Sequence, residues 1–491
     1  MELSDFKNKK ITVMGIGLHG GGVGVIKFLA EQGAKVLATD LRSKKELAVS
    51  LEALSGLDNV EYVLGEHRLE DFTNTDMVIK NPGVPEDSEY LAASRAKKIP
   101  IESDIGIFLE LCPAPIIGVT GTKGKSTTAA LLAHVLSQHY PQVILAGNIR
   151  QSVLAKLPEI TKDTIVILEL SSWQLADAKN HKKSPYVAVI TNLLKDHLNR
   201  YAGFQDYVND KKLIYKFQKE KDYLFLNYDD EILRELSKEV TSRIYFYSTE
   251  GDKLLHAELP ALNQKARMGA YIKSKKIYYG AAQELIAAVK DVKLIGRHNL
   301  GNVLAAVSVA DLYNVPREKT KAALLSFRGL AGRLQFINKV KGARYINDTA
   351  ATSPDAAIAA LETISEKFPQ KNEQKNIVLL AGGADKDLDF TTLGQTISRL
   401  AKAVVLFEGD ATPKLASQIN PEIKIEMTDS MRRAVSLASR LAEPEDIVLL
   451  APGCASFGLF QHEFDRGRQF NDAVAELRKQ GEIKINVKRE N

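Results

Sequence analysis

"GVTGTKGKSTTAALLAHVL", residues Gly118–Leu136, decides how the rest of the chain is read. An apolar run over residues 115–119 enters a glycine-rich turn and leaves it with helical spacing that begins near Lys125. Backbone N–H groups in such a turn converge on phosphate oxygens, and the helix N-terminus adds its partial positive charge. The pattern predicts a nucleotide cradle built from Gly121, Thr122, Lys123 and Gly124, with Lys125 reaching the outer phosphates. The hydroxyl of Ser126 or Thr127 is then the candidate Mg²⁺ ligand. Strict P-loop spacing has a glycine where Val119 stands; here the glycine is Gly121. An ordinary strand-to-helix turn is the competing reading, and "GKST" directly after a strand argues against it.

Working outward, the same alternation continues through "TIVILELSSWQL" and "YVAVITNLLKDH", with a hairpin expected around "AYIKSKKIYYG". An earlier alternation precedes it: "KITVMGIG" strand-like, "VGVIKFLAEQG" helical with a glycine stop, "AKVLATD" strand-like again. A third follows "SFRGLAGRLQFI", with strands expected at "ARYINDTA", "NIVLLAGGADKD", "AVVLFEG" and "DIVLLAPG". Repeated βαβ units imply parallel sheets with helices on their faces. The 491 residues exceed what one core holds, so about three α/β domains are expected.

Composition narrows the classes. At 45% hydrophobic and 26% charged the chain reads as globular, and no apolar run is long enough to span a bilayer. A net charge of +5 without a basic tract or interleaved aromatics gives no case for nucleic acid. The start, "MELSDFKNKKITVMGIG", runs from charged residues straight into a strand, which predicts no signal peptide. Two distant cysteines, Cys112 and Cys454, fit a reducing cytoplasm.

Several polar groups fall near the ends of the central strands. Glu169 and Ser171 close one strand, His197 lies just past another, and Lys211 follows. The carboxyl ends of neighbouring parallel strands line a ligand crevice, so these groups are expected to converge beside the cradle. Taken singly, each has a plain alternative: a surface carboxylate, a helix-start histidine, a solvated lysine.

The first glycine turn, "GIGLHGGG", fits G-x-G-x-x-G through Gly15, Gly17 and Gly20, with Asp40 ending the next strand. On that signal alone the expectation is a nicotinamide dinucleotide and an oxidoreductase, with a purely structural turn as the plain alternative.

The ordered set "GTKGKSTT", "GNI", "ELSSWQL", "TNLLKDHLNRY", "GRHNLGN", "GLAGRLQ", "NDTAAT" and "RGRQF" resembles the Mur ligase family over essentially the whole chain. Within that family it is most similar to the members that add D-glutamate. The resemblance implies a Rossmann-like UDP-substrate domain at 1–105, a central P-loop ATPase-like domain at 106–329 and a Rossmann-like amino-acid domain at 330–491. It implies an ATP-dependent acid–amino-acid ligase acting on UDP-N-acetylmuramoyl-L-alanine and glutamate, with Mg²⁺, two ions by expectation, and no partner beyond the substrates of a monomer. By the resemblance Ser126, Glu169, His197 and Lys211 hold metal, the last as a carbamate with Lys212 as its rival. Asn299, Arg333 and Asp348 join the cradle as ATP contacts. Gly17, Leu18, His19, Asp40, Arg42, Asn81, Gly83, Asn148, Ser171 and Gln174 take the sugar nucleotide, with the diphosphate on the N–H groups of the first turn. Thr352, Lys386, Ser456 and Phe464 take the amino acid.

The chain departs from the pattern in its last third. The family's "NDSKATN" reads "NDTAATS", placing Ala350 where a lysine is usual. Gly332 stands where histidine is more frequent, and Glu463 where phenylalanine is typical. These changes leave L-glutamate or another acidic amino acid as an alternative substrate. A non-catalytic scaffold is a further alternative, against which Lys125, Glu169 and His197 all speak by being present.

Overall fold

The computed structural model describes the chain except residues 19, 149–151, 195–200, 202, 257–265, 295, 297, 371–373, 386–387 and 488–491; at 298 and 480–487 it describes backbone alone. Three sheets organise the described residues. The first contains β1 (Lys10–Met14), β2 (Lys35–Asp40), β3 (Val60–Leu64), β4 (Met77–Lys80) and β5 (Ile101–Glu102). All its pairs are parallel, in the order β3-β2-β1-β4-β5, the arrangement of a dinucleotide-fold half.

The second sheet contains β6 (Ile116–Thr120), β7 (Val143–Gly147), β8 (Ile165–Glu169), β9 (Val187–Ile190), β10 (Tyr223–Asn227) and β11 (Arg243–Ser248). It is extended by β12 (Ala266–Lys273), β13 (Lys276–Tyr279) and β14 (Glu284–Ala288). Its order is β14-β13-β12-β11-β10-β9-β6-β8-β7. Strands β6 and β9 are buried at every residue, as parallel strands covered on both faces must be, and this explains their uninterrupted apolar sequences. The expected hairpin is present: β12 and β13 pair antiparallel from Ala270↔Tyr279 to Lys273↔Lys276.

The third sheet runs β15 (Gln335–Val340), β16 (Ala343–Asn347), β20 (Ile447–Leu450), β17 (Ile377–Ala381), β18 (Ala401–Phe407), β19 (Lys424–Thr428) across its width. Only β15 is antiparallel to its neighbour. Its four expected strands are β16, β17, β18 and β20; the edge strands β15 and β19 carry mixed polar sequences and gave no apolar run to read.

Two compact units emerge, Met1–Val292 with Leu300–Leu325, and Lys293–Asn299 with Ser326–Asn491. The first two sheets share one of these units. One apolar cluster runs through both, from Ile11, Val36 and Leu29 to Val166, Leu168 and Ile190.

Candidate active site

The central cradle follows β6. Its first glycine, Gly121, has φ +142°, and a Cβ there would lie 2.0 Å from the Thr191 hydroxyl oxygen, so only glycine fits. Thr191 and Asn192, just past β9, hold the loop from beneath. The Thr122 N–H donates to the Asn192 carbonyl at 2.9 Å, and the Lys123 N–H to the Asn192 side-chain oxygen at 2.9 Å. The Thr191 hydroxyl donates to the Lys123 carbonyl at 2.5 Å. The helix Lys125–Leu136 starts where the sequence placed it, and Ser126 and Thr127 lie in its first turn. The Lys125 ammonium donates to the carbonyls of Gly121 at 2.9 Å and Thr122 at 2.8 Å, folded over the loop it is expected to serve. Asn302, on the helix His298–Leu312, accepts from the Thr128 hydroxyl at 3.1 Å and braces the cradle. Asn299, the expected ATP contact, lies three residues earlier, and its N–H donates to the Gly296 carbonyl at 3.0 Å.

Glu169 ends β8, in register with Val119 of β6 and Gly147 of β7, so the strand order brings it beside the cradle. Its plain alternative as a surface carboxylate is wrong, since the residue is 2% exposed. Oε1 accepts from the Asn148 amide at 3.2 Å, and Oε2 is buried with no hydrogen-bond partner among the described residues. A buried carboxylate oxygen left so is costly unless a cation meets it, which fits Mg²⁺ at this place. His197 lies outside the described residues, and among those described no three His, Cys, Asp or Glu side chains cluster around a metal-sized space.

Lys211 is no solvated lysine either. The helix Phe204–Lys216 buries Tyr207, Val208, Lys211, Ile214 and Tyr215, one continuous stripe at helical spacing, and Lys211 lies in it. Its ammonium donates to the Gly121 carbonyl at 3.0 Å and sits 4.7 Å from the centre of the Tyr207 ring. Lys212, the rival, points elsewhere and pairs with Glu239 at 2.6 Å. Tyr207, which no motif marks, donates its hydroxyl to the Thr122 hydroxyl at 3.0 Å.

A cleft of about 970 Å³ opens between the first and second sheets. Gly17, Leu18, Asp40, Arg42, Asn81, Gly83, Asn148, Ser171 and Gln174 all line it. His19 lies outside the described residues. Asp40 does not reach freely into the cleft: Oδ2 accepts from the N–H groups of Ile16 at 3.0 Å and Gly17 at 2.9 Å, and Oδ1 from the Arg42 N–H at 3.0 Å and its guanidinium at 3.2 Å. Two N–H groups expected to meet a diphosphate are thus engaged by the chain's own carboxylate. Ser171 and Gln174 form a reciprocal cap on the helix Ser172–Asp177, which fixes both side chains at the cleft wall.

In the other unit, Asp348 follows β16 and accepts from the Leu334 N–H at 3.0 Å. Burial raises its carboxyl to about 6, with that N–H and the Arg333 charge pulling the other way. Arg466 is wholly buried and donates to the Thr349 hydroxyl at 3.1 Å, the Thr349 carbonyl at 3.0 Å and the Cys454 carbonyl at 3.3 Å. The departures from the family pattern interlock here. A Cβ on Gly332, whose φ is +70°, would lie 2.7 Å from the Thr349 methyl, so this chain's threonine and glycine fit as a pair. Thr352 donates its N–H to the Ala350 carbonyl at 2.9 Å, Ser456 is buried, Phe464 is exposed, and Lys386 is outside the described residues.

Three family models match the chain in order: the Mur ligase MurD-like N-terminal domain at 9–103, the Mur ligase middle domain at 119–310 and the Mur ligase glutamate ligase domain at 332–454. The UDP-N-acetylmuramoylalanine--D-glutamate ligase of Roseiflexus sp. is 42% identical over 95% of this chain and 98% of its own. The chain belongs to the Mur ligase family. The ligase of the same name from Borreliella burgdorferi is 35% identical over 97% of this chain and 100% of its own. Solved Mur ligases share the fold: MurC of Thermotoga maritima has a TM-score of 0.57 at 19% identity, covering 95% of this chain and 99% of its own. MurF of the same organism, in complex with ADP, gives 0.56 at 17%, covering 96% of each chain. The nicotinamide alternative falls with this: the first glycine turn of this Mur ligase belongs to the MurD-like N-terminal domain.

Proposed function

We propose that this Mur ligase joins D-glutamate to UDP-N-acetylmuramoyl-L-alanine at the expense of ATP, a cytoplasmic step in peptidoglycan precursor synthesis carried out by a monomer. Residues 1–105 take the sugar nucleotide, 106–329 the ATP, and 330–491 the amino acid. The observation that carries this reading is Asn148: it lines the cleft and donates to Glu169 beside the cradle, so two ligand spaces meet at one carboxylate. A carboxyl presented from the cleft and a triphosphate held in the cradle would meet there.

The chemistry follows from charge. The alanine carboxylate attacks the γ-phosphorus and ADP leaves, giving an acyl phosphate. The amine of glutamate attacks the acyl carbon, phosphate leaves, and the nitrogen loses a proton, so the products are an amide, ADP and phosphate. The first step brings two anions together. Lys125 supplies fixed positive charge there, and the cradle N–H groups orient the triphosphate. Ser126, Glu169 and His197 would hold Mg²⁺, which when bound supplies further positive charge to the phosphates. Lys211, packed under the cradle, would hold a second ion only as a carbamate. Positioning of the two ligands carries most of the acceleration, since the protein contributes no nucleophile.

The test is phosphate release with ATP, Mg²⁺ and UDP-N-acetylmuramoyl-L-alanine, comparing D-glutamate, L-glutamate, D-aspartate and no amino acid. Turnover is expected with D-glutamate; turnover with L-glutamate in its place would overturn the amino-acid assignment.

A further inference from the structure

Lys80 was not among the residues that the motifs singled out. It is the last residue of β4, directly before the turn of Asn81 to Pro85 that forms one wall of the cleft. Its ammonium lies 2.7 Å from Asp177, the last residue of the helix Ser172–Asp177, which carries the opposite wall. Both side chains are buried, at 5% and 4% exposure. The same ammonium reaches Glu86 at 3.0 Å and the Val84 carbonyl at 3.5 Å, two groups at the far end of the turn. An ammonium has three protons to donate; here one faces the central domain's helix, one the turn at Val84 and one Glu86 just past it. Asp104, also at the cleft, is buried close enough to Asp177 that burial, with Asp177's charge adding to it, raises its carboxyl to about 6. Without Lys80 two buried carboxylates would share the junction.

We infer that Lys80 is a positioning residue for the sugar nucleotide: through Asp177 and Glu86 it ties the Asn81–Pro85 wall to the Ser171–Gln174 wall and sets the width of the cleft. The inference rests on the proposed sugar-nucleotide reading of that cleft. Because a buried pair loses most when one partner is removed, either half should be sensitive, and the two losses should not add.

The experiment compares Lys80→Met, Asp177→Asn, the double variant and Lys80→Arg, each checked for a cooperative melt, in calorimetric binding of UDP-N-acetylmuramoyl-L-alanine and in steady-state kinetics. Each single change to Met or Asn is expected to raise Kd and KM for the sugar nucleotide by about tenfold, and the double variant by no more than about that. The KM for ATP should hold within about twofold, and Lys80→Arg should keep most of the affinity. A general loss of structure would move both KM values together. Wild-type protein that fails to bind the sugar nucleotide overturns the cleft reading beneath the inference. Wild-type binding with unchanged Lys80→Met affinity, or fully additive losses, overturns the inference alone. Should Lys80→Met fail to melt cooperatively, Asp177→Asn against Lys80→Arg decides the same point.

Discussion

Glu169→Gln should move stability and activity in opposite directions. The carboxylate is 2% exposed, accepts a bond of 3.2 Å from Asn148, and has no partner for Oε2 among the described residues. Burying such a charge costs free energy that the fold recovers only when a cation arrives. The amide keeps the volume and removes the charge. In EDTA, relief of that unmet group is worth about 1 kcal/mol, which raises Tm by about 2 °C in a domain of this size. Activity should fall about a thousandfold, since losing a metal ligand at the transferring phosphoryl group removes roughly 4 kcal/mol of transition-state stabilisation. Addition of Mg²⁺ with a non-hydrolysable ATP analogue should raise the wild-type Tm and leave the variant's nearly unmoved. Differential scanning calorimetry with and without the metal, alongside phosphate release, reads all three effects. A variant that melts below wild type in EDTA, or turns over within about tenfold of it, would refute the assignment of an unmet carboxylate to metal.

Two further outcomes follow from other parts of the fold. Gly332→His should destabilise the protein by about 1–3 kcal/mol, because the new Cβ meets the Thr349 methyl at 2.7 Å in a left-handed backbone; adding Thr349→Ser should recover the share due to the clash and leave the backbone strain, as read in urea unfolding. His181, 9% exposed, lies between Glu102 at 2.7 Å and Glu110 at 3.2 Å, where Lys183 also pairs with Glu110 at 2.7 Å. These carboxylates, Glu102 first, raise its pKa, so the folded state holds its proton more tightly than the unfolded chain. That stability is complete below the unfolded value and drains as pH rises through the higher folded one; Tm measured from pH 5.5 to 8.5 should fall across that window in wild type and less in His181→Gln.

The cradle was legible because its signal is local: strand, glycines and helix start are consecutive, and each demands particular residues. Glu169 was legible through its place at a strand end. Motif spacing favours Lys211 over Lys212, and the burial of Lys211 is also readable in the sequence. Tyr207, Val208, Lys211, Ile214 and Tyr215 recur at helical spacing, and a lysine on that stripe must be buried. Asp40 could be placed at the first glycine turn but not its direction; a carboxylate that caps backbone N–H groups reads the same as one that awaits a ligand. Lys80 with Asp177, and Asn302 with Thr128, were beyond reach, because each pair joins residues about a hundred positions apart or more and depends on how the strands are ordered.

The central claim is that the cradle's triphosphate gives its terminal group to a carboxyl presented from the cleft. Supplying UDP-N-acetylmuramoyl-L-alanine with both alanine carboxyl oxygens as ¹⁸O, together with ATP, Mg²⁺ and D-glutamate, tests it directly by mass analysis of the released phosphate. Phosphoryl transfer to the carboxyl predicts one ¹⁸O in each phosphate formed and one retained in the new amide. Phosphate carrying none, with amide still accumulating, would contradict it.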